Sequence, residues 1–264
     1  MKSRLLVPFF VLAGLILLVG LACGTVTTPT AQPPPPQIQP TQPPPIQIQP
    51  TQPPPTEAPT EAPTEAPAEA QAYFTEEFDQ GTDLWTYDIR GPNKDVYGDT
   101  VDVSFGNGTL QVKIPQTQLY VYFFYDPYTY SDVKLSMEAD NRGANSNNVS
   151  LVCRYNENDD TWYEFSVGSD GIWYLYAHDN NGFHELSNGG TLALKQGKAV
   201  NQYGMNCIDN KIYMFVNGNQ LKGSPFTDNQ LVYGFRDGQV GFNISSIDVI
   251  NVAVDINWFD VSEP

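Results

Sequence analysis

The chain has 264 residues and a formal net charge of −17 at pH 7, from 30 acidic and 13 basic residues. Residues 73–264 carry 26 of the acids and 11 of the bases. This balance argues against binding to nucleic acid or to anionic membrane surfaces, which requires clustered lysine and arginine. It favours neutral glycans or cations as partners.

The N-terminus has the pattern of an export signal. Lys2 and Arg4 precede an apolar run over residues 5–22, and a positive segment followed by such a run is typical of secretory signals. The run ends in Leu21-Ala22-Cys23, which resembles a bacterial lipobox. In that interpretation residues 1–23 are a lipoprotein signal peptide, and the Cys23 thiol takes a diacylglycerol.

An uncleaved membrane helix is the alternative, because about 18 to 20 apolar residues can just span a bilayer core of about 30 Å. In both interpretations the rest of the chain lies outside the cytoplasm, since positive charge precedes the segment and acidic residues follow it. We therefore expect a protein of the cell envelope, anchored in the membrane by a lipid or a helix.

Residues 24–72 predict a spacer. They consist mainly of Pro, Gln, Thr, Ala and Glu, with a ten-residue repeat followed by Pro-Thr-Glu-Ala repeats. Such a composition cannot bury enough apolar surface to offset the entropy of ordering, so we expect a disordered, semi-extended polyproline II segment. At about 3.1 Å per residue, its length is on the order of 100 to 150 Å.

Residues 73–264 predict one all-β domain, an antiparallel two-sheet β-sandwich. Short segments of alternating apolar residues are separated by turn signals such as Ser169-Asp170-Gly171 and Asn217-Gly218-Asn219. The two histidines, His178 and His184, are expected in a loop. The predicted strands are 110–114, 133–137, 149–155, 163–167, 172–177, 203–208, 211–216, 239–242 and 252–261.

The cysteine count predicts one disulfide. Cys23 belongs to the signal, so Cys153 and Cys207 remain as a pair in an exported domain, where oxidising conditions favour a bridge. Each lies in a predicted strand, so the bridge would join two neighbouring or facing strands. The alternative, a metal site formed by these two cysteines, fails because the sequence offers no further ligands for it.

Several segments resemble the concanavalin A-like lectin/glucanase superfamily, and in particular its laminin-G-like and 3-keto-disaccharide-hydrolase-like jelly rolls on bacterial surface proteins. The resemblance implies two curved sheets, one with a concave face, and contact with carbohydrate. It does not imply enzymatic activity, because one fold hosts many functions. The segments are Phe74-Thr75-Glu76-Glu77-Phe78-Asp79, Val152-Cys153-Arg154-Tyr155, Trp162-Tyr163-Glu164-Phe165 and Ile256-Asn257-Trp258-Phe259-Asp260-Val261.

Alternation along two strands indicates a candidate ligand site. If Cys153 and Tyr155 point into the core, Arg154 points out, and Glu164 would pair with it on the neighbouring strand beside Trp162. One interpretation is a surface ion pair worth about 0 to 1 kcal/mol. The other is a sugar platform, in which the indole stacks on a pyranose and the charged groups bond its hydroxyls. Trp173 and Tyr122 would extend this platform.

Three functions follow, of which we favour a non-catalytic, surface-tethered carbohydrate-binding module. A glycoside hydrolase would need two carboxylates about 5 to 5.5 Å apart, and the Glu-x-Asp-x-Glu run of the family's glucanases is absent. Glu164 would have to be one member of such a pair. The third alternative is an envelope domain for structure or protein interaction that lacks a sugar site.

No cofactor is required by the sequence, although structural calcium is an alternative. The resemblance implies an ion that joins the first and last strands through Glu77 and Asp260. The Asp- and Asn-rich segments elsewhere do not fit the EF-hand pattern, and turn formation explains them without a metal.

Overall fold

The computed structural model describes residues 70–79, 83–106, 108–228 and 233–264. The predicted signal with Cys23, and the spacer up to residue 69, lie outside the described residues. In the ranges that are described, no helix is long and apolar enough to cross a membrane.

Strands dominate the described chain, with one short helix and a 3-10 turn between the second and third strands. The elements in chain order are β1 (Phe74–Glu76), β2 (Trp85–Arg90), α1 (Lys94–Tyr97), β3 (Asp102–Phe105), β4 (Leu110–Ile114), β5 (Leu119–Tyr125), β6 (Val133–Asn141), β7 (Asn148–Asn156), β8 (Thr161–Gly168), β9 (Ile172–Asp179), β10 (Gly182–Gly190), β11 (Val200–Ile208), β12 (Lys211–Val216), β13 (Asn219–Gln220), β14 (Phe226–Thr227), β15 (Gln239–Ser246) and β16 (Val252–Ser262).

The described strands form two antiparallel sheets, as the sequence predicts. The nine-stranded sheet has the order β13-β12-β11-β6-β16-β4-β3, with β1 paired to β16 and β14 paired to β12. The seven-stranded sheet has the order β10-β9-β8-β7-β15-β5-β2. Because neighbours in each sheet are often distant in sequence, each face collects residues from remote parts of the chain.

Alternation decides which face each residue occupies. On β8, Tyr163, Phe165 and Val167 belong to the core cluster between the sheets. Trp162 and Glu164, together with Ser166, therefore point to the outer face of the seven-stranded sheet. This arrangement of β8 is the one that the sequence predicts.

The disulfide between Cys153 and Cys207 is present. Cys153 lies on β7 of the seven-stranded sheet, and Cys207 lies on β11 of the nine-stranded sheet. Both side chains are buried in the core. The predicted bridge is confirmed, and it links the two facing sheets.

Two local predictions are wrong. His178 and His184 do not lie in a loop: they lie on the paired strands β9 and β10. The strand β10 escapes prediction because it is an edge strand with no deeply buried side chain and several glycines, so it shows little apolar alternation. Tyr155 does not share the face of Cys153, because a bulge intervenes where Arg154 has φ of 57°.

Three tyrosines hold the chain where it enters the domain. The hydroxyl of Tyr125 donates to the carbonyl of Gln71 at 2.8 Å and accepts from its amide at 3.1 Å. The hydroxyls of Tyr128 and Tyr130 donate to the carbonyls of residues 70 and 72, at 3.4 and 2.7 Å. The last residues before β1 are thus bonded to the domain by phenol groups.

Candidate functional site

Glu164 is the centre of a buried hydrogen-bond network on the outer face of the seven-stranded sheet. Its Oε2 accepts from the Tyr122 hydroxyl at 2.9 Å and from Trp162 Nε1 at 3.0 Å. Its Oε1 accepts from Asn243 Nδ2 at 3.2 Å. These donors come from β5, β8 and β15, so one carboxylate ties together three strands of the sheet.

An aromatic cluster surrounds this network and encloses Arg90. The guanidinium carbon of Arg90 lies 4.9 Å from the ring centroid of Trp162 and 5.3 Å from that of Tyr122, within the range of cation–π attraction. Arg90 also forms ion pairs with Asp88 and Asp160, each at 2.8 Å. Burial by itself lowers the pKa of Arg90, but the hydrogen bond and charge of Asp160 outweigh it and leave the pKa raised.

Trp162 lies on the predicted face, but it is covered. Its ring is 0% exposed and stacks on the ring of His178, with centroids 3.7 Å apart and planes 16° apart. Tyr155 and Phe183 contact it edge-on. The indole therefore supports the sheet surface instead of offering an open face for stacking on a ligand.

A cleft of about 190 Å³ lies on this face beside Glu164. The accessible aromatic groups on its wall include Tyr176, half buried, and Phe183, 46% exposed; these two meet edge to face with centroids 5.6 Å apart. Burial raises the pKa of Tyr176 to about 12, so its phenol stays neutral. The lining residues are Tyr120, Tyr122, Asn148, Glu164, Ser166, Tyr176, Phe183, Asn243, Ser245 and Ile247.

Two buried polar atoms on this face have no hydrogen-bond partner among the described residues. They are the Oδ1 atom of Asn243 and the hydroxyl of Ser150. These residues lie opposite each other on the paired strands β15 and β7. A buried polar atom without a partner is costly, and such atoms beside a cleft suit a ligand or water that supplies the missing bond.

The predicted cross-strand pair between Arg154 and Glu164 is not formed. The bulge directs Arg154 away from the cleft, and its guanidinium donates to the carbonyls of Ser131, Asp209 and Phe235 at 2.7 to 3.1 Å. Arg154 is only 4% exposed. The structure therefore gives Arg154 a role in fixing loops, away from the cleft.

Trp173 also lies away from the predicted platform. It alternates with Tyr174 and Tyr176 on β9, and its ring is buried in the core between the sheets, packed against Gly189. Tyr122, in contrast, lies on the outer face as predicted and lines the cleft. Of the predicted ligand residues, the structure brings Tyr122, Trp162 and Glu164 together and separates Arg154 and Trp173 from them.

The predicted calcium ligands lie near the paired first and last strands. Asp260 on β16 accepts from the hydroxyl of Thr75 on β1 at 2.7 Å and from that of Ser262, while Glu77 follows β1 and is exposed. Calcium takes about six to eight oxygen ligands. Within the described ranges, no group of three or more His, Cys, Asp or Glu side chains is placed to hold a metal. The calcium ion therefore stays a prediction.

Sequence reasoning missed several members of the site, among them Arg90, His178 and Asn243. Asn243 had a signal, since it is a polar residue in the apolar alternation of Val240, Phe242 and Ile244. Arg90 had none, because it reaches Trp162 from β2, a strand distant in sequence. His178 was missed because it was expected in a loop, although it pairs with Trp162 between the consecutive strands β8 and β9.

No family model matches the chain, and no curated protein sequence matches it significantly. Solved structures match it at low sequence identity. A protein of unknown function with a galectin-like fold from Bacillus subtilis has a TM-score of 0.55 and 13% identity, covering 73% of this chain and 96% of that chain.

Two glucan-active proteins are similar to the same extent. A Bacteroides ovatus GH16 protein of a mixed-linkage glucan locus, in complex with its G4G4G3G product, has a TM-score of 0.54 and 10% identity, covering 72% of this chain and 99% of that chain. The β-glucanase of Bacillus licheniformis has a TM-score of 0.51 and 14% identity, covering 74% and 100%. The domain therefore has the concanavalin A-like jelly-roll fold.

Proposed function

We propose that this domain binds neutral carbohydrate, without cleaving it, in the cleft beside Glu164. The observation that carries the proposal is the unpaired Oδ1 atom of buried Asn243 in the wall of a cleft that also presents Tyr176 and Phe183. Binding sites of this kind combine apolar surface with a few fixed polar groups. The glucan-active proteins of the same fold support the choice of ligand class.

A sugar ring has an apolar face and a rim of hydroxyls, and the cleft offers a counterpart to each. The rings of Tyr176 and Phe183 provide apolar surface for the face of a pyranose. A sugar hydroxyl that donates to Asn243 Oδ1 would supply the bond that this atom lacks. None of the described residues that line the cleft is a cation, and Glu164 is an anion, so the lining disfavours a negatively charged ligand.

The number of carboxylates supports binding without hydrolysis. Glycosidases use two carboxyl groups, about 5 to 5.5 Å apart in retaining enzymes and farther apart in inverting ones. Glu164 is the only carboxylate among the described residues that line the cleft. Its oxygens already accept three hydrogen bonds from protein side chains, so the carboxylate is engaged in holding those side chains in place.

We further propose that the domain is tethered outside the cytoplasm by lipid on Cys23 and held away from the membrane by the proline-rich spacer. The apolar run before Cys23 and the composition of residues 24–69 support this location. A binding domain at the end of such a spacer can reach polymers beyond the membrane surface.

The test is binding of full-length protein, purified in detergent, to neutral hexasaccharides of glucose, mannose, xylose, galactose or fructose. Calorimetry measures affinity, and reducing-end analysis detects cleavage. The double variant Tyr176→Ala/Phe183→Ala should weaken binding in the cleft at least tenfold. Phe105→Ala is the matched control, since Phe105 is 42% exposed and lies on β3 of the other sheet.

Saturable binding without new reducing ends is the expected result, and the double variant should lose the binding event of this cleft while the control keeps it. New reducing ends that disappear in Glu164→Gln would overturn the non-catalytic proposal in favour of a hydrolase. Failure to bind any saccharide of the panel would overturn the proposal and favour a domain for protein interaction.

A further inference from the structure

Trp258 is exceptional among the four tryptophans of the chain. Trp85, Trp162 and Trp173 are buried, whereas Trp258 is partly exposed on the outer face of the nine-stranded sheet. A partly exposed indole contributes less to the core than a buried one. Its position therefore invites a functional explanation.

A β-bulge turns Trp258 to this face. The pairing of β16 with β6 shifts register between Ile256 and Trp258, so that two residues, Asn257 and Trp258, separate the buried side chains of Ile256 and Phe259. Regular alternation from Ile256 would direct Trp258 into the core. Bulges recur next to functional sites, where they redirect a side chain.

The indole borders a cleft of about 330 Å³. Ser136 and Gly204, paired on β6 and β11, form its floor with little side-chain volume. Phe215 lies beside Gly204 on one side, and Asp260 lies beside Ser136 on the other, on the same strand as Trp258. The floor is thus flanked by the ring of Phe215 on one side and by β16, which carries Asp260 and Trp258, on the other.

Polar side chains close the two ends of this cleft. Lys134 and Asn206 are paired at one end. At the other end Gln202 donates to Glu138 Oε2 at 3.0 Å, and Glu138 Oε1 accepts from Asn257 at 2.8 Å. This network fixes the orientation of Gln202 at the edge of the cleft.

We propose that this cleft is a second saccharide-binding site, on the sheet opposite the first. Its lining places the cation of Lys134 and the carboxylate of Asp260 together with amide and hydroxyl groups. A ligand with a net charge of either sign would meet a like charge, whereas a neutral ring rich in hydroxyls finds both donors and acceptors. The Trp258 indole supplies the stacking surface for its apolar face.

Two sites on opposite sheets give the domain a capacity that one site lacks. A domain that holds saccharide on both faces can bridge two polymer chains, or bind two segments of one chain with increased avidity. The second site does not depend on the first, because none of its lining residues belongs to the cleft beside Glu164.

Acrylamide quenching of tryptophan fluorescence tests the proposal directly, since three of the four indoles are buried and Trp258 dominates the accessible signal. With the same hexasaccharide panel and full-length protein in detergent, a saturating saccharide should at least halve the quenching constant. This decrease in the quenching constant should persist in Tyr176→Ala/Phe183→Ala. Its persistence would show that the saccharide protects Trp258 without occupying the cleft beside Glu164.

Calorimetry should give two saccharides per chain for the wild type and for Phe105→Ala, and one for Trp258→Ala. Gly204→Ala keeps the indole and adds a methyl group to the floor, 3.2 Å from Phe215 Cβ, and should weaken the second site at least fivefold. Binding that is lost in Trp258→Ala but not in Tyr176→Ala/Phe183→Ala would support this site and overturn the first.

Three outcomes would overturn the second site. They are unchanged quenching at saturation, a single binding event that Trp258→Ala does not alter, and no binding of any saccharide in the panel. Concentration-dependent self-association that Trp258→Ala abolishes would instead identify the face as an interface between copies of the chain.

Discussion

The hydroxyl of Tyr122 reaches Glu164 over two intervening strands. Tyr122 lies on β5 and Glu164 on β8, with β15 and β7 between them, yet the phenol oxygen is 2.9 Å from Oε2. Burial, followed by the charge of Glu164, holds the pKa of Tyr122 well above its ordinary value. The phenol therefore stays protonated and remains a donor throughout the physiological pH range.

Replacing Tyr122 by Phe should lower the free energy of unfolding by about 1.5 to 3 kcal/mol, because a buried carboxylate loses a donor. Urea denaturation measures the change. Tyr120→Phe is the control: its half-buried hydroxyl donates to Gln118 at 3.2 Å, and its loss should cost within about 0.5 kcal/mol. Equal losses in the two variants would contradict the central place of Glu164.

His178 should make stability depend on pH. Burial beside Trp162 lowers the pKa of His178, although the hydrogen bond that its Nδ1 donates to the Asp160 carbonyl opposes this. The unfolded chain, with a histidine pKa of about 6.5, then binds more protons than the folded one. Stability should fall as pH drops from about 7.5 through 6.5, and the fall should end below the folded-state pKa.

Denaturation midpoints between pH 5.5 and 7.5 test this dependence in the wild type and in His178→Gln. The denaturation midpoint should change less with pH in His178→Gln than in the wild type. His184 is present in both proteins, so the difference between them reports on His178. An identical slope would show that His178 does not titrate differently in the folded and unfolded states.

Removing the disulfide should destabilise the domain by about 4 kcal/mol, the loop-closure value for Cys153 and Cys207, which are 54 residues apart. Chemical denaturation with and without reductant measures the effect. The double variant Cys153→Ala/Cys207→Ala should be weakened to a similar extent and should no longer respond to reductant. A reductant effect of equal size in the double variant would contradict the assignment.

Arg154→Met should cost about 3 kcal/mol of stability, because three loop carbonyls lose the charged donor that the buried Arg154 supplies. Saccharide affinity, measured well below the unfolding temperature, should stay within twofold of the wild type. Arg154→Lys should recover little stability, since an ammonium group cannot reproduce the fork of donors. A loss of saccharide affinity in a folded Arg154→Met protein would show that Arg154 contributes to the binding site.

Cys23→Ser should release the protein from lipid modification. Metabolic labelling with a radioactive fatty acid should mark the wild-type chain and not the variant, as measured by autoradiography of the purified protein. Lys113→Ala, far along the chain, is the control and should be labelled. Equal labelling of wild type and Cys23→Ser would rule out this anchor.

The sequence predicts most where one face of a strand is apolar and the other polar. On β8 the alternation of Tyr163 and Phe165 with Glu164 is clear, and the structure agrees. On β9 both faces are rich in large side chains, so the period alone could not tell that Trp173 points inward and Tyr176 outward.

Two further features escape any local pattern. An arginine gives no sign that it will adopt a positive φ, so the bulge at Arg154, which turns Tyr155 to the outer face, could not be foreseen. The contact of Glu164 with Asn243 joins residues 79 positions apart, and that of Arg90 with Asp160 joins residues 70 apart. Such contacts follow from sheet topology, which alternation does not encode.

The phenol groups that hold residues 70–72 determine how the domain bears a mechanical load. A pull on the chain at Ala70 first strains the bonds from Tyr125, Tyr128 and Tyr130, before it reaches the ladder between β1 and β16. Replacing the three tyrosines by Phe should lower the force at which single-molecule extension begins to peel β1 away. Any load that reaches the domain along the chain before β1 would be borne at this same junction.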